Sequence, residues 1–354
     1  MITYFDLIKD ESFRDYLLDL IRERTKDTTY RFFAYNPTLF RYRSFSKYAI
    51  EDIENQTITL SSIGEFNDIY DGTIHILCEG ETYRSLAEKD MAELDELGLS
   101  SLGFNDQAKE EMLLSRIKYY EKESRLKQRT LETIGTYVGC FTGNYLSILM
   151  WAHYANFNQG ICIEYDFNTI SNGLDKALFP VAYINEPVHL YDLINPKDKP
   201  DYPYQLDAAF LCAAIAKSDI WRYEEESRLV IQLPFFKDRR ISLNIQSFPT
   251  SLILGNDFLK NFFYDGNKDG KDYNDAKDAL ELFHRLLNCI EKNGIKLQVV
   301  DVNIGKFELT PCETNSIVMK DFFNNEFEWE PVDIRFYYVL KDSFFNIVRD
   351  SEDH

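Results

Sequence analysis

The irregular alternation of elements constrains this chain most. β-rich stretches and amphipathic stretches follow one another without a strand–helix–strand rhythm. No G-x-G-x-x-G follows a predicted strand, and no G-x-x-x-x-G-K-[ST] occurs. A doubly wound parallel sheet with a Rossmann or phosphate-loop site is therefore disfavoured. An α+β fold around a mixed sheet is expected.

Residues 10–27 form an amphipathic pattern with Phe13, Leu17, Leu20 and Ile21 on one face. A strand is predicted over 38–43, a Ser46-capped helix up to Ile53, and a strand over 56–61. Residues 82–133 are charged and helical, with Leu113, Ile117 and Tyr120 at i, i+4, i+7, and read as a helical insertion beside the sheet. Strands at 135–141 and 160–166 flank a helix at about 146–156. A helix at 204–217 precedes strands at 226–232, 239–244 and 251–254; a long helix at 274–292 leads to a strand at 296–304. The expected organisation is a helical N-terminal extension over 1–35, a main domain over 36–310 and a C-terminal extension over 311–354.

Composition bears on partners. With 59 acidic and 39 basic residues the net charge is -20, which repels nucleic acid at long range. Salt confines such fields to about 8–10 Å, so a local basic groove stays open, as does a basic partner protein. The six cysteines form no C-x-x-C pair and sit among apolar residues, as reduced buried thiols do. The N-terminus lacks a basic n-region and an apolar h-region, and no apolar run is long enough to span a bilayer. A soluble protein of the cytoplasm, with no membrane partner, is expected.

Four segments carry candidate chemistry. In Phe40-Arg41-Tyr42-Arg43-Ser44, Arg41 and Arg43 share a strand face, and guanidinium forks suit a pyrophosphate; solvated or acid-paired arginines would give the same pattern. Ser61 and Ser62 end a strand ahead of a loop with Asn67 and Asp68, able to bind a ligand or merely to turn the chain. Trp151, His153 and Tyr154 lie together on a predicted helix and can stack on a flat ring or simply pack. No histidine spacing fits a metal site.

The fourth segment is Trp221-Arg-Tyr-Glu224-Glu225-Glu226-Ser227-Arg228. If a strand begins there, Glu224, Glu226 and Arg228 project from one face. Three acids ahead of Leu-Val-Ile-Gln-Leu spend strand propensity poorly, as functional sites do; the alternative is a solvated strand start with a Glu–Arg pair. Residues 265–272 begin like a calcium loop, but Ala276 stands where a bidentate Glu is needed, so a polar surface loop is read there.

In this order the segments resemble a bacterial family of unknown function with relatives among abortive-infection proteins. The shared motifs are a Y-R-Y-R-S-like start (Phe40-Arg41-Tyr42-Arg43-Ser44 here), S-S-x-x-x-F-N-D, M-W-A-H-Y-A-N and W-x-Y-E-x-E-x-R, over about residues 38–305. Ile63 and Ile69 stand where that family often has proline, and Ser227 where it has Trp. The family in turn looks like a divergent ADP-ribosyltransferase. The resemblance implies a split mixed/antiparallel sheet and NAD as substrate. It implies Glu226, Glu224 and Arg43 as catalytic residues. Glu226 would stabilise the ribosyl cation, Glu224 would take the acceptor's proton, and Ser61 or Ser62 would orient Glu226. It further implies NAD contacts from Arg41, Arg43, Ser61, Ser62, Asn67, Asp68, His153 and Tyr154, with Tyr48 or Trp151 stacked on nicotinamide, and no metal. The acceptor would be a macromolecule, protein or nucleic acid. The abortive-infection relatives imply a toxin or phage-defence effector with an antitoxin or regulatory protein as partner. The alternatives are a non-catalytic sensor or scaffold on the same fold, and a magnesium-dependent nuclease using Asp68, Glu224 and Glu226.

Overall fold

The computed structural model describes residues 6, 8–25, 37–66, 68, 71–72, 74–75, 83–96, 106–128, 135–170, 173–185, 188–189, 205–233, 238–266, 270–303, 305–306 and 308–352. Asn67 and the centre of the 265–272 loop lie outside the described residues. The fold is α+β, as the irregular alternation implies.

Helix α1 (Glu11–Thr25) starts where the Asp10 carboxylate accepts the N–H of Phe13. Its residues Phe13, Leu17, Leu20 and Ile21 are buried in the main core. Strand β1 (Thr38–Arg43) leads to α2 (Lys47–Glu54), capped by the Ser46 hydroxyl on the N–H of Ala49, and then to β2 (Thr57–Ser62). Helices α3 (Tyr83–Glu96) and α4 (Asp106–Gln128) pack on each other, with Asp90 accepting from Tyr120 at 2.7 Å and pairing with Arg116 at 3.1 Å. Next come β3 (Thr136–Thr142), α5 (Ile148–Tyr154), β4 (Ile161–Asp166), β5 (Leu178–Pro180), α6 (Gln205–Ile215) and β6 (Glu226–Gln232). The chain closes with β7 (Arg240–Asn244), β8 (Ser251–Leu254), α7 (Lys271–Asn293), β9 (Lys296–Asn303), β10 (Glu308–Thr314), α8 (Ser316–Phe322) and α9 (Tyr337–Glu352). Among the described residues no helix is long and apolar enough to cross a membrane.

These ten strands form one mixed sheet, ordered β7-β2-β3-β1-β4-β8-β9-β10, with β6 and β5 off this path. Only the β8–β9 pairing is parallel within it. One face carries the main core, which takes in α1, α2, α6, α7 and the aromatics Phe322, Phe323, Phe344 and Phe345 after β10. Both ends of the chain therefore share the core of the middle. The other face carries a smaller cluster in which Phe40 and Tyr42 of β1 meet Met150 and Trp151 of α5. Burying such a side chain is worth roughly 1.5–3 kcal/mol, so α5 is firmly seated.

The sheet forks at β3. Along one edge β3 pairs with β6 over its whole length, from Thr136↔Gln232 to Thr142↔Glu226. Its other edge is divided: β2 meets it at Tyr137 and Val138, and β1 meets it at Thr142. Residues 139–141 lie between these two contacts. Gly139 is needed there, because a Cβ would come within 2.5 Å of Leu60 on β2. Asp52 of α2 braces β2 by accepting from Thr57 and Thr59 at 2.9 and 2.7 Å. On the far side of β1, three successive left-handed residues, Asn156, Phe157 and Asn158, return the chain from α5 to β4. Gly160 completes this turn, since a Cβ there would collide with the Arg43 carbonyl.

Candidate functional site in the fork of the sheet

A cavity of about 380 Å³ occupies the fork. Its walls come from β1 (Phe40–Arg43), from Ser61 of β2, from Val138 to Thr142 of β3, and from His153 and Tyr154 of α5. Its floor is Lys217, Glu224 and Glu226, with Phe66 and Asp71 to the side.

Arg41 bridges the fork. Its Nη2 donates to the Thr59 carbonyl of β2 at 2.7 Å, and its guanidinium lies over the Phe141 ring at 5.6 Å. Its Nη1 is buried without a hydrogen-bond partner. Burial, and then the charge of Arg43, lower its pKa to about 10, so it remains a cation at neutral pH. Arg43 is differently placed: its Nη1 pairs with Asp52 at 3.3 Å.

The two outer acids of the segment are buried and only Glu225 is exposed, which removes the solvated strand start from consideration. Glu224 and Glu226 are 2% and 4% exposed. They do not lie on one strand, however. Glu224 ends a 3-10 turn (Asp219–Glu224), Glu225 takes a left-handed conformation at φ 46°, and only Glu226 begins β6. A left-handed glutamate costs of order 1 kcal/mol or more. It turns both flanking carboxylates onto one ammonium: Lys217 Nζ hydrogen-bonds Glu224 and donates to Glu226 Oε2 at 2.8 Å. Tyr154 donates to Glu224 Oε1 at 2.6 Å.

Arg228, two residues along β6, is fully buried. Its Nε and Nη2 donate to Glu226 at 2.9 and 3.2 Å; Nη1 and Nη2 grip Asp71 at 2.6 and 2.7 Å; Nη1 also reaches the Ala214 carbonyl at 2.7 Å. All five N–H donors of the guanidinium are thus satisfied. The Tyr183 hydroxyl accepts from the N–H of Glu226 at 2.9 Å.

The two carboxylates differ in proton affinity. Burial pushes both up. At Glu226 the charges of Arg228 and Lys217 override it and hold the group down at about 2. At Glu224 burial prevails over the shared Lys217 charge, and the pKa is raised. Lys217 is penalised by burial, but the two glutamates outweigh this and raise its pKa, so it stays charged. Such divergent neighbours are how one site obtains both a fixed anion and a proton-exchanging group.

Other expected residues fall at different distances from this centre. His153 is exposed at the mouth and shares a hydrogen bond with the Tyr223 hydroxyl at 3.1 Å. Ser61 lines the cavity, whereas Ser62 and Asp68 do not. Among the described residues it is Lys217 and Arg228, not Ser61 or Ser62, that hydrogen-bond Glu226. Trp151 is buried behind the wall, its indole N–H on the Tyr145 carbonyl at 2.8 Å and its ring edge-on to Tyr42. Tyr48 is 67% exposed on α2 and does not line the cavity. The rings available for stacking are Phe40, Tyr42, Phe66, Phe141 and Tyr154.

The site therefore defines a class of protein by geometry: an α+β chain with a forked sheet, an arginine across the fork and a buried carboxylate pair below it. Residues 150–229 match the model of a family described as a protein of unknown function (DUF2971), a stretch that runs from α5 through Lys217, Glu224, Glu226 and Arg228. No curated protein and no solved structure matches the chain.

Proposed function

We propose that the fork cavity binds NAD and that the protein transfers ADP-ribose from it to a macromolecular acceptor. One observation carries this reading: a cationic arginine lines one cavity together with a carboxylate held ionised and a second with raised proton affinity. The volume lies within the roughly 300–1,000 Å³ of small-molecule sites. The Arg41 guanidinium would take a pyrophosphate oxygen, since charge-assisted bonds are strong. The aromatic walls would receive the nicotinamide ring. On cleavage of the C1′–N1 bond the electron pair passes to nicotinamide and positive charge builds on the ribose. The fixed anion of Glu226 stabilises that charge. The acceptor's nucleophile closes the new bond to C1′, and its proton passes to Glu224. A net charge of -20 favours a basic protein over nucleic acid as acceptor. The resemblance to abortive-infection proteins supports a toxic effector in phage defence.

A magnesium nuclease is served less well. Asp68, one of the three acids it would need, is not in the cavity wall.

Calorimetry with NAD, ADP-ribose and nicotinamide tests the reading. NAD and ADP-ribose are expected to bind the native protein and to lose at least about tenfold in affinity in Arg41→Met, the worth of a charge-assisted bond; nicotinamide is expected to bind both alike. Absence of NAD and ADP-ribose binding to the folded native protein would overturn it.

A further inference from the structure

We propose that Lys217 is the positioning residue that divides the proton work between Glu224 and Glu226, fixing Glu226 as the anion and leaving Glu224 to exchange a proton with the acceptor. The inference deepens the transferase reading and rests on it for its catalytic meaning.

The argument is one of charge and contact. Asp71, Glu224 and Glu226 are three buried acids, and Lys217 and Arg228 are the two cations among them. Fully ionised, the group carries one uncompensated negative charge, which burial makes costly. The first proton taken up on acidification removes that cost. It settles on the carboxylate with the least cationic contact. Glu226 accepts from two cations, Lys217 on Oε2 and Arg228 on both oxygens. Asp71 is gripped by Arg228 through both oxygens. Glu224 has only the ammonium that it shares with Glu226, and the neutral hydroxyl of Tyr154. The remaining titratable neighbours do not alter this order. Cys140 faces Glu226 and is kept a neutral thiol by burial, while Tyr183 and Tyr223 are likewise held in the phenol form. His153 meets the cluster through the Tyr223 hydroxyl and the edge of the Tyr154 ring.

Lys217 is itself held from three sides. It stands on the short strand Ala216–Ser218, paired with Ala182–Ile184, and its ammonium lies 5.3 Å from the centroid of the Trp221 ring. Its Nζ therefore has a defined place between the carboxylates, which a flexible surface lysine lacks.

The experiment is a pH titration of protein labelled with ¹³C at the glutamate carboxyls, with Glu224→Gln used to assign the signal. Native Glu224 is expected to titrate above the ordinary carboxylate range and Glu226 below it. In Lys217→Met the Glu224 titration is expected to rise by a further pH unit or about that, the effect of losing an adjacent opposite charge, and Lys217→Arg is expected to restore most of it. The acid limb of NAD consumption should move with the titration. An unchanged Glu224 titration in folded Lys217→Met would overturn the proposal. Should that variant not fold, the native titration decides: Glu226 protonating before Glu224 on acidification would overturn it equally. The predicted titrations without NAD consumption by any form would leave the proton assignment standing and refute the transferase reading alone.

Discussion

Arg228→Met is the substitution whose consequence is best fixed by the geometry. The side chain is fully buried and spends five donors on five bonds, four of them to the carboxylates of Asp71 and Glu226. Methionine fills much of the same space and supplies none of them. Asp71 then loses its cation and Glu226 loses one of its two, and breaking such a buried pair costs about 3–5 kcal/mol. Set against a domain stability of roughly 5–15 kcal/mol, that is a large share. The pH dependence has a definite sign. In the native protein Glu226 is depressed from 4.5 to about 2, so it contributes stability above pH 4.5 that is lost as the pH falls through 2. The difference corresponds to about 3 kcal/mol. In the variant this contribution is reduced to what Lys217 supplies, and protonation relieves the acids that lost Arg228. The deficit relative to native protein should be largest at pH 7 and should shrink towards pH 4. Urea unfolding of the native, Arg228→Met and Arg228→Lys proteins at the two pH values measures it. The lysine variant, which keeps the charge but not the fork, should fall between the other two. A loss under about 1 kcal/mol at pH 7, or a deficit independent of pH, would refute the reasoning, because a buried guanidinium bridging two carboxylates cannot be that dispensable.

Three further outcomes follow from the same geometry. Gly139→Ala places a Cβ 2.5 Å from Leu60 and should lower stability by about 1–3 kcal/mol in thermal unfolding, as overpacking does. Tyr154→Phe removes the 2.6 Å bond that favours the ionised form of Glu224, so the acid limb of the activity profile should move to higher pH while the fold is retained. Tyr48→Ala, at a 67% exposed position outside the cavity, should leave stability unchanged within about 0.5 kcal/mol and leave NAD affinity as it was, by unfolding and calorimetry.

Much of the frame was legible because it is local. The alternation in 38–43, the Ser46 cap and the apolar run of β6 place their elements to within a residue or two. The carboxylates were legible as acids misplaced ahead of an apolar strand. Arg228 stood in the same segment, but the other members of the cluster, Lys217 and Asp71, were not legible. Lys217 falls at the expected end of a helix over 204–217, but the helix stops at Ile215, and pairing with residues 182–184 turns Lys217 inward. No local pattern specifies that pairing; the one available signal was a lysine closing the apolar run Ala213-Ala214-Ile215-Ala216. Asp71 is 157 positions from the arginine it binds. The left-handed Glu225 is equally hidden, since glutamate is not a residue that announces positive φ. Arg41 and Arg43 read alike in sequence, and only the positions of Asp52 and Thr59 distinguish them. The stacking role expected of Trp151 or Tyr48 came from the resemblance. The first faces the small core and the second faces solvent.

The central claim is tested most directly by incubating purified protein with NAD labelled in the adenylate phosphate, in the presence of bacterial lysate, and following both nicotinamide release and the label. The account predicts nicotinamide release with label on a protein acceptor, both abolished in Glu226→Gln and reduced in Glu224→Gln, with the circular dichroism of the variants unchanged. Intact NAD after prolonged incubation with folded native protein, with and without lysate, would contradict it.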